Sequence, residues 1–316
     1  MYILNLFKLS LVTLTIYLHQ LVWPYTTRLT NIGVIQVHIA IHITTTMSDH
    51  ESYSLDPALF NTDFYSKLLH LWIRTYPTPV SAPSDEDIKT WFGLGATDEE
   101  KSAFDSKVAA LCMPLLDSIG PSRWALPEFK SIDTDREAHY SAFAAPFVRE
   151  FTISQGSGSE ILPNEDIALA ITILLDQTTR NCFRRESQRV VYEHYDRICR
   201  AVTDAIHDMD IDKCDRFREV VGWRVWFNMP LEHSESVRDH EYLATVLRGM
   251  LEAARRNGDE GGEKFLGLMI PYEGYHFEPL KRFGRYPWRN RWLGRKNTRD
   301  EDRYFEEGGK TFGTDS

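Results

Sequence analysis

Length, composition and charge limit what kind of protein this chain can be. Its 316 residues can bury one large core, and 42% hydrophobic with 26% charged residues is an ordinary globular composition. The formal net charge of −10 argues against a general affinity for nucleic acid, because that binding depends on cations that displace phosphate counterions.

The first 46 residues differ from the rest and contain only two charged side chains, both basic. The apolar run 9–18 has the length of a signal-peptide core, but no small-residue cleavage site follows it. We expect Met47 to be the true start of the protein and residues 1–46 to be an over-extended gene model. A membrane anchor, with the membrane as a partner if residues 1–23 are retained, and a secretory signal are the alternatives.

After Met47 the apolar side chains recur at intervals of three and four residues, which is typical of amphipathic helices. Thr97 with Glu100, and Thr298 with Glu301, form capping-box patterns at two helix starts. No strand pattern appears, so we predict an all-α fold of helical hairpins without a sheet. We expect one domain over residues 47–307 and a disordered Gly-rich tail over residues 308–316. Predicted helices cover 57–75, 85–92, 135–152, 163–175, 187–207, 217–229 and 265–280. Two further helices begin at 97 and 298, and another ends near residue 256.

Three polar segments stand at the ends of apolar helices, and we expect the intervening helices to bring them together. They cover residues 176–181, 227–235 and 283–295. Asp176 and Arg180 are four residues apart, as are Gln177 and Asn181, so each pair is expected to meet on one helix face. The third segment combines four arginines with bulky rings, which indicates a folded polar loop.

In this order the three segments resemble the signatures of the DUF924 family, whose members have an all-helical fold similar to TPR proteins. The first reads Leu-Leu-Asp-Gln-Thr-Thr-Arg-Asn-Cys-Phe-Arg over 174–184, the second runs from Phe227 to Glu235, and the third from Phe283 to Arg295. Thr178 and Thr179 replace the Phe-Pro of the family signature, so this turn need not have the shape that it has in other members of the family. The resemblance covers roughly residues 55–307. It implies a fold, and it implies no reaction because the family is uncharacterised.

The charged members of these segments predict an inward-facing pocket for a small polar or anionic molecule. Arginine forks bind anionic groups in a bidentate manner, and a histidine can exchange a proton near neutral pH when a carboxylate sets its tautomer. The candidate catalytic residues are His233, Glu235 and Asp176. The candidate ligand-binding residues are Gln177, Arg180, Asn181, Arg285, Arg289, Asn290 and Arg295. Such a site would suit an accessory enzyme of small-molecule metabolism, although the sequence leaves open whether the protein is an enzyme.

The main alternative is a structural network of paired charges in a non-enzymatic scaffold with a protein partner. A single-stranded nucleic-acid surface is disfavoured by the acidic total. Ser234 lacks a nucleophile elbow and is expected to be a helix N-cap. The spacing of His and Cys predicts no metal site, and no cofactor motif is found. Four scattered cysteines favour a reducing compartment and therefore a cytoplasmic protein.

Overall fold

The computed structural model describes residues 53–153 and 162–312. The predictions for residues 1–46, for the Gly-Ser linker 155–159 and for the last four residues lie outside this part of the chain. Within the described residues every regular element is helical and no strand is present, so the predicted all-α class is confirmed. None of these helices is both long and apolar enough to cross a bilayer.

Ten helices of seven or more residues form the described part of the fold. They are α1 (Thr62–Trp72), α2 (Asp85–Phe92), α3 (Asp98–Ser118), α4 (Ile132–Ala138), α5 (Tyr140–Thr152), α6 (Asn164–Ile173), α7 (Asp196–Asp208), α8 (Val237–Asn257), α9 (Glu260–Phe283) and α10 (Arg299–Glu306). Shorter helical turns extend some of them. Leu174–Thr178 and Thr179–Cys182 continue α6, Gln188–Val190 and Val191–Tyr195 lead into α7, and Val221–Arg224, Val225–Phe227 and Met229–Glu232 precede α8.

Helix α6 lies at the centre of the core, because apolar side chains cover its whole circumference. The residues from Ile167 to Leu175 are all buried. Helices α1, α5 and α7 pack against α6, while α8 and α9 form a hairpin joined at Gly258. That glycine has φ of 67°, a left-handed conformation that costs least without a side chain.

Several helix starts follow the local sequence. The predicted capping boxes at Thr97 and Thr298 are present, and Ser84 with Asp87 forms another. The prediction that Ser234 caps α8 is wrong, because Ser236 occupies that position and accepts from the Asp239 amide. Ser234 is buried, and its hydroxyl donates to the Asp239 carboxylate over 2.6 Å. Because Ser236 provides the cap two residues further on, the Ser234 side chain packs in the core instead.

The four cysteines are free thiols within the described residues. Cys112 and Cys199 are buried, and burial raises the pKa of Cys112 to about 12. A thiol with so high a pKa is a poor nucleophile, since the thiolate is the reactive form. These two sulfurs therefore act as core packing.

Candidate functional site

The three polar segments predicted from the sequence meet around one cavity. His233 Nδ1 lies 2.7 Å from Asp176 Oδ1, which joins the second segment to the first. Arg289 Nη2 donates to the His233 carbonyl over 2.8 Å, which joins the third segment to the second. Gln177, Arg180, His233 and Arg289 all line the cavity, so the hairpins bring together residues up to 112 positions apart.

The cavity has a volume of about 370 Å³ and is lined by both apolar and polar side chains. Its apolar wall includes Trp91, Phe92, Phe183, Met229, Phe265 and Trp288. Its polar end includes Gln177, Arg180, Glu232, His233, His276 and Arg289. A volume of this size suits a small organic ligand, since small-molecule sites begin at roughly 300 Å³.

The polar end starts from a widened turn at the end of α6. Residues Leu174–Thr178 form a π-helical turn, a feature that often accompanies functional sites. Thr178 and Thr179 stabilise it, because their hydroxyls donate to the carbonyls of Leu174 and Leu175 over 2.7 and 2.9 Å. The two threonines thus supply hydrogen bonds where the family signature has Phe-Pro.

Asp176 and His233 form a carboxylate–imidazole pair at the cavity. The Asp176 side chain is almost fully buried; burial alone would raise its pKa, but His233 and Arg180 outweigh this and hold the pKa below its ordinary value. Burial together with Arg180 lowers the pKa of His233, against the opposing effect of Asp176. The ionised carboxylate accepts the Nδ1 proton, so Nε2 is the unprotonated nitrogen of the neutral ring.

The arginines of the site are paired with carboxylates. Arg180 lies 3.2 Å from Asp176 and 2.9 Å from Asp196, which the sequence analysis did not single out. Arg289 lies 3.8 Å from the same Asp196, and its guanidinium carbon stands 4.4 Å from the ring centre of Tyr192 and 4.8 Å from that of Tyr286. Asp196 therefore balances the positive charge of both Arg180 and Arg289.

Two predicted amides line the cavity but do not pair with each other as expected. Gln177 Nε2 donates to Asp176 Oδ2 over 2.6 Å, and Asn181 Nδ2 donates to Asp105 Oδ1 over 2.7 Å. Both amides bind carboxylates because a charged acceptor forms the stronger hydrogen bond. Gln177 is thereby a positioning group for Asp176.

The remaining predicted site residues lie behind the cavity wall. Glu235 accepts two hydrogen bonds from the Arg295 guanidinium, at 2.8 and 2.9 Å, and one from the Tyr286 amide at 3.0 Å. Arg285 binds Glu301 of α10 at 2.6 and 2.7 Å. These contacts fasten the loop after α9.

Asn290 is also part of this loop. Its side-chain amide donates to the Asn297 side chain over 2.9 Å. None of Glu235, Arg285, Asn290 and Arg295 is among the residues that line the cavity. Their hydrogen bonds position Arg289 and Tyr286 at its edge.

The sequence matches the model of a known protein family. The model of the family described as bacterial protein of unknown function, DUF924, matches residues 68–309. The chain belongs to the DUF924 family. The resemblance predicted from the three segments is thereby confirmed.

A solved structure of a protein of unknown function from Agrobacterium tumefaciens is similar to this DUF924 protein at 24% sequence identity. The match covers 66% of this chain and 99% of that chain, with a TM-score of 0.36. Among curated proteins, the comparison returned no match.

The DUF924 cavity contains a second carboxylate–imidazole pair that the sequence analysis missed. His276 Nδ1 lies 3.0 Å from Glu232 Oε1, and the ring centres of His276 and His233 are 6.4 Å apart. Glu232 directly precedes His233 in the sequence, but its partner lies 44 residues further on in α9, so no local spacing relates them. Only the packing of α9 against the Met229–Glu232 turn brings them together.

Residues 308–312 of the DUF924 chain, the described part of the tail, lie near the cavity. Phe312 stacks on the His276 ring, with 3.7 Å between ring centres, and it lines the cavity. The Lys310 carbonyl accepts a hydrogen bond from the Tyr304 hydroxyl over 2.5 Å. These contacts join residues 310 and 312 to α9 and α10, and disorder of the whole tail 308–316 stays a prediction because residues 313–316 lie outside the described part of the chain.

Metal ligands are not grouped in this part of the DUF924 chain. Over residues 53–153 and 162–312, no three His, Cys, Asp or Glu side chains are arranged to hold an ion. Asp176 pairs instead with His233 and Arg180, and Glu232 pairs with His276.

Proposed function

We propose that this DUF924 protein binds one small molecule in the cavity and that His233 acts on it as a general base. The ligand has a polar or anionic group at the end formed by Asp176 and His233, and an apolar body against the aromatic wall. The observation that carries the proposal is the position of His233, which lines the cavity while its Nδ1 is held 2.7 Å from a buried carboxylate.

The state of His233 supports this role. Its lowered pKa keeps the ring neutral at pH 7, and the hydrogen bond to Asp176 leaves Nε2 as the proton acceptor. A positioned imidazole of this kind accelerates proton transfer about 10²- to 10⁴-fold. The protein would then serve as an accessory enzyme of small-molecule metabolism in the cytoplasm.

The rival function is a non-enzymatic scaffold for a protein partner. Two observations favour it. The ion pairs of Asp196 with Arg180 and Arg289 could serve only to fix how the helices meet. Helix α9 also exposes a row of apolar side chains, with Leu268 at 46% and Tyr275 at 43%.

Binding of 8-anilinonaphthalene-1-sulfonate, which has an aromatic body and one anionic group, tests the proposed function. Isothermal titration should show one site per chain in the wild type. His233→Gln should bind about tenfold more weakly, because one hydrogen bond at the polar end is worth about 1.4 kcal/mol.

His70→Gln is the matched control, since His70 is exposed and does not line the cavity. It should bind the probe as the wild type does. An absence of saturable binding, or equal affinities for the two variants, would instead favour the scaffold.

A further inference from the structure

Among residues 53–153 and 162–312, three histidines have Nδ1 held by a carboxylate, and they lie close together. His233 is held by Asp176 at 2.7 Å, and His276 by Glu232 at 3.0 Å. His240 is held by Glu273 at 2.8 Å. The three histidines differ in what surrounds their other ring nitrogen, Nε2.

The neighbours of His276 fix its tautomer. Nδ1 lies 3.0 Å from Glu232 Oε1 and 3.1 Å from the Tyr272 carbonyl. Burial favours a protonated Glu232, but His276 and the neighbouring histidines outweigh it and hold the Glu232 pKa below its ordinary value. Both neighbours of Nδ1 are therefore acceptors, so Nδ1 carries the proton.

Nε2 of His276 is consequently the nitrogen that remains for a ligand. It has no hydrogen-bond partner among residues 53–153 and 162–312, and His276 lines the cavity. The same holds for Nε2 of His233. Two imidazoles thus offer the same kind of nitrogen to one cavity.

His240 shows what a purely structural pair looks like here. Its Nε2 lies 3.0 Å from the Ser234 carbonyl and 2.8 Å from the Tyr286 hydroxyl, so both ring nitrogens are engaged. The side chain is completely buried and does not line the cavity. His240 is therefore an internal reference for the other two.

We propose that Glu232 and His276 form a second proton-transfer pair, which acts with Asp176 and His233 on one ligand. This rests on the proposed function. One imidazole takes a proton from one atom of the ligand at its free Nε2. The other imidazole, which has first taken up a proton from water at Nε2, gives that proton to a second atom of the ligand, and the first imidazole then returns its proton to water. The ligand keeps its composition and its electrons, so the reaction is an isomerisation by proton shift and needs no oxidant.

The distance between the rings suits such a ligand. The ring centres are 6.4 Å apart, and a hydrogen bond from each nitrogen spans about 3 Å, so both rings can reach one small polar unit. The substrate class is a small molecule with an apolar body whose polar end carries an acidic hydrogen beside a carbonyl or similar acceptor. The groups that face His276 are Glu232 and Tyr286, with His233, His240 and Glu273 behind them.

Acylation by diethyl pyrocarbonate tests the second pair without a known substrate, because the reagent modifies accessible, unprotonated imidazole nitrogens. The reaction is run at about pH 8, where ordinary imidazoles are neutral. Tryptic cleavage separates the three histidines into the peptides 225–238, 239–248 and 265–281, which contain one histidine each. Mass spectrometry should show modification of His233 and His276 but not of His240. Excess 8-anilinonaphthalene-1-sulfonate should protect both.

The outcomes separate the two proposals. Modification of His233 alone, or modification of His276 without protection by the probe, overturns the second pair and leaves the proposed function intact. Modification of neither histidine overturns both.

A substitution isolates the role of the carboxylate. Glu232→Gln should slow the modification of His276 and leave that of His233 unchanged, because the amide can donate to Nδ1 and then competes with the Tyr272 carbonyl, which favours a proton there. Glu241→Gln, exposed on α8, should change neither. Unchanged modification of His276 in Glu232→Gln overturns the proposal. Should that variant fail to fold, imidazole ¹⁵N spectra of the wild type decide: an Nδ1 proton on His276 supports the second pair, and an Nε2 proton overturns it.

Discussion

His233 and His276 line the same cavity with ring centres 6.4 Å apart, and each directs Nδ1 at a buried carboxylate. The two rings come from different parts of the fold: His233 directly follows the Met229–Glu232 turn, and His276 lies in helix α9. A carboxylate behind each ring fixes which nitrogen carries the proton, so both rings offer the cavity an Nε2 acceptor. The chemistry of the site therefore depends on Asp176 and Glu232 as much as on the histidines.

Asp176→Asn should lower the free energy of unfolding by about 3 kcal/mol, since breaking a buried ion pair leaves its partner uncompensated. Here the partners are Arg180 and His233. Urea unfolding followed by circular dichroism measures the change. Asp63→Asn is the control, because its pair with Lys67 is solvent-exposed and is worth less than about 1 kcal/mol. A loss for Asp176→Asn no larger than for this control would show that Asp176 is not essential to the network.

Glu301→Gln should change the acid stability of the protein. Hydrogen bonds from Arg285 lower the pKa of Glu301 to about 2 from its ordinary 4.5. A carboxyl whose pKa is lower in the folded state stabilises the fold fully above pH 4.5, and this contribution is lost as pH falls towards 2. The variant should therefore be less stable than the wild type at neutral pH and equal to it near pH 2.

Urea titrations at several pH values measure this difference. Glu306→Gln, exposed on the same helix, removes the same charge and should run parallel to the wild type. A constant difference between Glu301→Gln and the wild type down to pH 2 would contradict the assigned pKa.

A chain that ends at Glu307 should expose His276 to modification. Phe312 stacks on its ring with 3.7 Å between centres. Aromatic contacts are worth about 0.5 to 1.5 kcal/mol, so acylation of His276 should become roughly two- to tenfold faster. A chain that ends at Phe312 is the matched control and should react as the full chain does. Equal rates in both would mean that Phe312 does not cover His276.

The acylation rate of His233 should still exceed half of its plateau value when the pH falls to 6.5. Burial and the nearby Arg180 lower the pKa of His233 below the ordinary value of 6.5, so more than half of the rings are neutral and reactive at that pH. The rate is measured on the peptide 225–238 across a pH series. Exposed His70, in the peptide 68–74, provides a check on loss of reagent. A half-maximal rate at or above pH 6.5 would show that Asp176 outweighs burial.

The helices could be predicted from the sequence because helix formation depends on residues three or four apart. The capping boxes at Thr97 and Thr298 need only a carboxylate three residues later, and both are present. Ser234 shows the limit of such reasoning. Its position after a turn suits an N-cap, but tertiary packing gives its hydroxyl to Asp239 and leaves the cap to Ser236.

The site could be predicted only in part. The pair of Asp176 with Arg180 follows from a spacing of four residues within the α6 extension. Asp196 and His276 have no such signal, because their partners Arg289 and Glu232 lie on other elements. Arg285 and Arg295 were expected at the ligand, yet they bind Glu301 and Glu235 behind the wall.

The sequence by itself determined that this protein is all-helical and that three polar segments stand at helix ends, since both properties follow from local spacing. Only the tertiary structure decided which carboxylate pairs with which cation or imidazole. It also decided that mostly apolar side chains line the rest of the cavity. Those pairings depend on how α7 and α9 pack around α6. That arrangement minimises the exposed apolar surface of the whole core, which no short stretch of sequence specifies.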